Sequence, residues 1–129
     1  MLFRSIFGRD RTYVEVQRHL RRDEEADNRT LMDMAAAFRV PVIATNGARF
    51  ATPAERPLFD VLTCIHHHTD LAHAGRRLAP NAERYLKPPS EMCTLFADRS
   101  STVARTIELA DRLQYTMAEI GRASCRERV

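Results

Sequence analysis

Apolar and polar positions alternate along Tyr13-Val14-Glu15-Val16-Gln17, with β-branched residues at every second place, and this predicts a short strand. A polar stretch comes next. Within it Asp23 predicts an N-cap, and Glu24, Glu25 and Asp27 put negative charge where a helix N-terminus favours it. From there Leu31, Met34, Ala35 and Phe38 recur at spacings of three and four, the pattern of an amphipathic helix ending near Arg39. Val40-Pro41-Val42-Ile43-Ala44 is a short apolar run that suits a strand covered on both faces. Strand, helix and strand in such close succession predict a βαβ unit, an α/β architecture with the two strands parallel and joined by a right-handed crossover.

The second half of the chain reads as helices. Thr52-Pro53-Ala54-Glu55 predicts a capping box with proline at the first helical position, opening a helix whose apolar face is Leu58, Val61, Leu62 and Ile65. Pro57 removes a backbone donor there and predicts a kink. Asp70 and residues 71–78 predict a further short helix, and Pro88-Pro89-Ser90-Glu91 opens another that carries Met92, Leu95 and Phe96. The last helix is expected over 101–113, with Val103, Ile107 and Ala110 on one face.

Composition narrows the function classes. A chain of 129 residues with 44% hydrophobic and 29% charged residues has the balance of one globular domain. No run approaches the ~18 apolar residues of a membrane span, and the opening eight residues do not make a secretory h-region. Cys64, Cys93 and Cys125 are widely separated, with no Cys-x-x-Cys pair, as for bystander thiols in a reducing compartment. A cytoplasmic location with no membrane partner is the resulting expectation. The net charge of +3 is unevenly placed. Residues 120–129 hold Arg122, Arg126 and Arg128 against Glu127, which leaves 17 basic and 16 acidic side chains before them. That is no electrostatic footprint for a phosphate backbone. All but one of the basic residues are arginine, Lys87 being the exception, as a GC-rich coding sequence would give.

In parallel α/β folds reactive groups gather at the C-terminal ends of strands, here Thr45-Asn46-Gly47-Ala48-Arg49. His66, His67 and His68 are consecutive and so point in different directions, whereas metal ligands converge at i, i+2 on a strand or at i, i+3 and i+4 on a helix. They read as a solvated helix end. His19 with Glu15 is a possible catalytic dyad in composition, and a surface loop pair is the commoner arrangement. No catalytic or cofactor-binding residue is assigned, and no dinucleotide, P-loop or nucleophile-elbow motif is present.

The stretch Val40-Pro-Val-Ile-Ala-Thr-Asn-Gly-Ala-Arg-Phe-Ala-Thr-Pro resembles the end of the polymerase-and-histidinol-phosphatase (PHP) domain of bacterial C-family DNA polymerases. Asp60-Val-Leu-Thr-Cys-Ile-His-His-His-Thr-Asp-Leu and Leu86-Lys-Pro-Pro-Ser-Glu-Met-Cys-Thr-Leu-Phe-Ala-Asp resemble the family's next segments in the same order. Thr102-Val-Ala-Arg-Thr-Ile-Glu-Leu-Ala-Asp resembles the helix beyond them, and Tyr13-Val-Glu-Val-Gln-Arg-His-Leu the segment upstream. The Thr-Asn-Gly form resembles the error-prone, translesion branch of the family.

The resemblance implies a piece of an incomplete PHP-type (β/α) barrel. Residues 1–79 would be the C-terminal part of that domain and 80–119 the helical connection towards the palm. It also implies DNA as partner through the parent polymerase, contacts with its other domains, and Mg²⁺ held by palm aspartates beyond this chain. Metal-competent members carry an aspartate and a histidine, two residues apart, where this sequence has Gly47 and Arg49. Glycine offers no ligating atom and a guanidinium no lone pair, so the metal site is expected to be degenerate and this piece alone to have no cofactor and no catalytic activity. Arg49 then either contacts nucleic acid or another domain, or fills a degenerate pocket. Two other readings of the chain are a stand-alone PHP-type phosphoesterase and a small non-enzymatic α/β interaction module. The family-like pattern stops at Glu119, and residues 120–129 read as the translation of a sequencing adapter.

Overall fold

The computed structural model describes residues 2–113. A short helix α1 (Leu2–Phe7) precedes strand β1 (Val14–Gln17), helix α2 (Glu24–Phe38) and strand β2 (Val42–Thr45). Helices α3 (Arg56–His66), α4 (Pro89–Leu95) and α5 (Ser100–Arg112) complete the order, with 3-10 turns between them. The two strands pair in parallel, Val14 opposite Val42 and Gln17 opposite Thr45, so the predicted βαβ unit is present.

The unit is built on short side chains. Val14, Val16, Ala35, Val40, Val42 and Ala44 pack with Phe96, which is fully buried, and Leu31, Met32, Met92, Leu95 and Val103 close over them. Helix α2 buries Asn28 and Ala35 against β1, while Met34 and Phe38 lie at the surface. Its C-terminus turns at Arg39, whose φ of 52° is left-handed, and the Val40 N–H returns to the Ala35 carbonyl at 2.9 Å.

Helix α5 packs across β2 through Thr102, Val103 and Thr106. In a parallel ladder the N–H and C=O of alternate residues face opposite edges, and those of Ala44 face away from β1. The Thr106 hydroxyl takes both. It accepts from the Ala44 N–H (3.2 Å) and donates to the Ala44 carbonyl (2.8 Å). A side chain thus satisfies, at this residue, the backbone groups that another strand would have met.

Several expectations need correction. The apolar residues of α3 are not core: Leu58 is 62% exposed and Ile65 65%, with Val61 and Leu62 also open, and only Cys64 is buried. Periodicity locates an apolar face but not what covers it. Pro57 makes no kink, because a 3-10 turn over Pro53–Glu55 comes first and the helix restarts at Arg56, leaving Pro57 in the first turn, where its missing donor costs nothing. The capping box is incomplete. Thr52 makes no side-chain cap, and the Glu55 carboxylate accepts from the Ala51 N–H at 2.9 Å. Asp23 likewise bonds Arg21 rather than the helix end, and its backbone carbonyl accepts from Ala26 and Asp27. Residues 71–78 form turns and a 3-10 segment (Gly75–Arg77), not a helix. On α5, Val103 packs on the core as expected, but Ile107 is 60% exposed and Ala110 is also open, and Thr102 and Thr106 share the covered stripe. Cys125 and residues 120–129 lie outside the described residues.

Candidate functional site at the ends of the strands

The C-terminal ends of β1 and β2 carry Gln17 and Thr45 side by side, and a polar network plugs them. The Gln17 amide donates to the Glu15 carboxylate (2.8 Å) and to the Thr45 hydroxyl (3.4 Å), and its oxygen accepts from Arg84 (3.3 Å). Thr45 donates to the same Glu15 oxygen. Gly47 comes just beyond with φ of 50°, in the left-handed region that side chains disfavour. A Cβ placed on it would come within 2.9 Å of the Gln17 amide nitrogen. An acidic side chain at this position would have to displace the terminal amide of Gln17.

His19 is buried, 3% exposed, and pairs with Glu24 while Glu15 bonds Gln17 and Thr45, so neither the dyad nor the surface pair of His19 with Glu15 is present. Its Nδ1 meets Glu24 at 2.6 Å, and its Nε2 donates to the Asn46 carbonyl at 2.9 Å. Asn46 in turn donates to the carbonyls of Glu83 and Tyr85, and Asn81 donates to the His19 carbonyl. The segment before α4 is thereby tied to the strand ends, helped by a parallel bridge between Phe50 and Tyr85. With both ring nitrogens engaged, His19 has no lone pair free for a metal.

Arg49 extends outward, with its guanidinium 5.4 Å from the centre of the Phe59 ring. It shares a cavity of about 160 Å³ with Arg21, Arg77, Arg84, His19 and Asn81. Burial, and then the neighbouring Arg49 charge, lower the pKa of Arg84 from the usual guanidinium range. His66, His67 and His68 are exposed at the end of α3 and stand apart from these residues. Among the described residues no three His, Cys, Asp or Glu side chains are grouped as a metal site. No described helix is long and apolar enough to cross a membrane.

A second cluster escaped the sequence reading. Arg18, just past β1, makes a two-pronged pair with Asp98 (2.5 and 2.9 Å), bonds Glu25 (2.7 Å) and the Leu95 carbonyl (2.7 Å), and lies 5.0 Å over the Phe96 ring. Lys87, the single lysine, is buried between Glu83 (2.9 Å) and Glu91 (3.7 Å) and lies 3.6 Å from the Tyr85 ring centre. The partners of Arg18 are brought by folding, whereas those of Lys87 lie four residues to either side, in the extended segment before α4 and in its first turn.

No family model matches the chain. Its relatives are nonetheless consistent. It is 40% identical over 111 residues to an error-prone DNA polymerase of Rhodopseudomonas palustris, which covers 86% of this chain and 9% of that protein. It is 37% identical over 114 residues to error-prone DNA polymerase 2 of Agrobacterium fabrum, covering 88% of this chain and 10% of the relative. An error-prone DNA polymerase of Anaeromyxobacter dehalogenans is 42% identical over 119 residues, 91% of this chain and 10% of that one. The chain spans about a tenth of the length of the curated relatives it matches. Along that tenth its sequence matches proteins named error-prone DNA polymerase, at 37–44% identity.

Proposed function

We propose that this chain is a non-catalytic piece of an error-prone DNA-directed DNA polymerase acting in cytoplasmic translesion synthesis and repair. Residues 1–79 would be the C-terminal part of its PHP domain, within an incomplete (β/α) barrel, and 80–119 the connection to the palm. The parent would bind DNA and transfer nucleotides with Mg²⁺ held elsewhere. The observation that carries the reading is Gly47, with the Gln17 amide in the space an aspartate would need, in a chain whose relatives are error-prone polymerases.

The residues present do not fit a PHP metal centre. Gly47 has no donor, His19 is committed at both nitrogens, and a cation at Arg49 repels metal ions. No hydrolytic step is derived through such a centre, and this disfavours a stand-alone phosphoesterase. The open face of α3, with Leu58, Leu62 and Ile65 exposed, supports a role as an internal part that packs against neighbouring domains.

Elemental analysis of the purified chain, with a phosphatase assay in Mn²⁺ and Zn²⁺, tests the reading. Less than a tenth of an equivalent of metal and no turnover are expected. Two or more bound metals per chain, or metal-dependent hydrolysis, would overturn it.

A further inference from the structure

Four arginines from separate parts of the chain surround one hollow. Arg21 lies beyond β1, Arg49 beyond β2, Arg77 closes the Gly75–Arg77 turn, and Arg84 lies in the segment leading to α4. The cavity they share, about 160 Å³, is roughly ten times the ~10–15 Å³ that holds one water. A more open cleft of about 550 Å³ adjoins it, sharing Arg21 and the wall of residues 78–80, and adds Arg56 and Arg76. Neither lining includes an aspartate or glutamate.

Few of these cations are neutralised. Arg21 pairs with Asp23 at the surface (2.8 Å), and Arg56 stands 3.5 Å from Asp60. Among the described residues Arg49, Arg76, Arg77 and Arg84 form no ion pair, and Arg84 has only the neutral Gln17 oxygen. Like charges brought together with one partly desolvated favour whatever anion can enter. Guanidinium forks match the geometry of a phosphate group, and the two adjoining hollows give room for more than one.

We propose that the paired hollows form an anion site that binds neighbouring phosphate groups of one ligand without hydrolysing them. The site stands on its own geometry and does not depend on the chain's place in a polymerase. Two sources share the chemistry, a free polyphosphate and the phosphates of a single nucleic-acid strand.

The test is calorimetric titration of the 129-residue chain at low ionic strength with inorganic pyrophosphate and, separately, with 5′-phosphorylated tetrathymidylate. Saturable one-to-one binding is expected. For the strand, log affinity should fall against log salt with a slope of about −0.7 per phosphate engaged. Tighter binding of the tetranucleotide would assign a strand, and tighter binding of pyrophosphate a free ligand, both supporting the site. Arg77→Gln, on an exposed turn, should weaken binding about threefold, and Arg49→Gln with Arg77→Gln more than tenfold, with circular dichroism and thermal midpoint unchanged. The proposal is overturned if the folded chain shows no saturable binding, if both variants bind as the unaltered chain does, or if tetraglutamate binds as tightly as pyrophosphate, which would reserve the arginines for protein carboxylates.

Discussion

Arg18 and Arg84 lie close to the same strand end, yet their surroundings are opposite. Arg18 meets two carboxylates, a carbonyl and an aromatic face, and its pKa is raised, first through its hydrogen bonds to Asp98. Arg84 bonds one neutral amide oxygen, and its pKa is lowered by burial and then by Arg49, against the weaker opposing charges of Glu24 and Glu15, neither of which pairs with it. The first is a clasp, joining β1 to α2, to the end of α4 and to the turn Ala97–Arg99 over a fully buried Phe96. The second belongs to a cation group in which, among the described residues, Arg21 pairs with Asp23 while Arg49, Arg77 and Arg84 form no ion pair. Identical side chains thus divide into support and candidate recognition by the company that folding gives them, not by their type.

Cutting the clasp should produce the largest effect. Arg18→Met strips Asp98 and Glu25 of their main partner and leaves the Leu95 carbonyl unbonded, so we expect a loss of roughly 2 kcal/mol in denaturant titration, moderated because both carboxylates are about half exposed. A loss below ~0.5 kcal/mol would remove the distinction between the two groups.

Gly47→Asp comes next, at about 1 kcal/mol, because it imposes a side chain at φ 50°, a region aspartate tolerates better than most residues, and displaces the flexible Gln17 amide. The double variant Gly47→Asp/Arg49→His should still show no metal-dependent phosphatase activity, as two ligands do not close a site.

Arg49→Gln sharpens the contrast by its sign. Removing one of several like charges should leave the thermal midpoint unchanged or slightly higher, within about 0.5 kcal/mol. A marked loss would show that the cations are structural.

Acid should weaken the clasp by the smallest amount. Hydrogen bonds from Arg18 hold the Asp98 carboxyl at about 2 and the Glu25 carboxyl below its usual range. A depressed folded pKa means that the unfolded chain takes up protons first. The contribution is therefore complete above the ordinary carboxylate range and disappears as pH falls from about 4 towards 2. Denaturation midpoints measured over that window should drop more steeply for the unaltered chain than for Arg18→Met.

The parts legible in the sequence were those governed by short-range pattern. Val14 and Val16 alternate, Leu31 and Ala35 repeat at helical spacing, and the left-handed Arg39 lies where the helix was expected to end. The βαβ pairing came from these. The face of α3 did not, because Leu58 and Ile65 have the spacing of core residues whatever stands opposite them. The arginine hollow was equally hidden, for a nearly balanced count of charges says nothing of how four distant segments distribute them. Gly47 and Arg49 were singled out by resemblance to a metal-competent pattern, but the Gln17 amide that fills the gap emerges only once the strands are in register.

The threonine on α5 has one more effect. Because its hydroxyl occupies both backbone groups of Ala44, that amide should exchange with deuterium as slowly as one inside a wide sheet, although β2 borders only a single strand. It also denies a passing chain a place to nucleate cross-strand growth, so one methyl-bearing alcohol serves as a terminator against templated association.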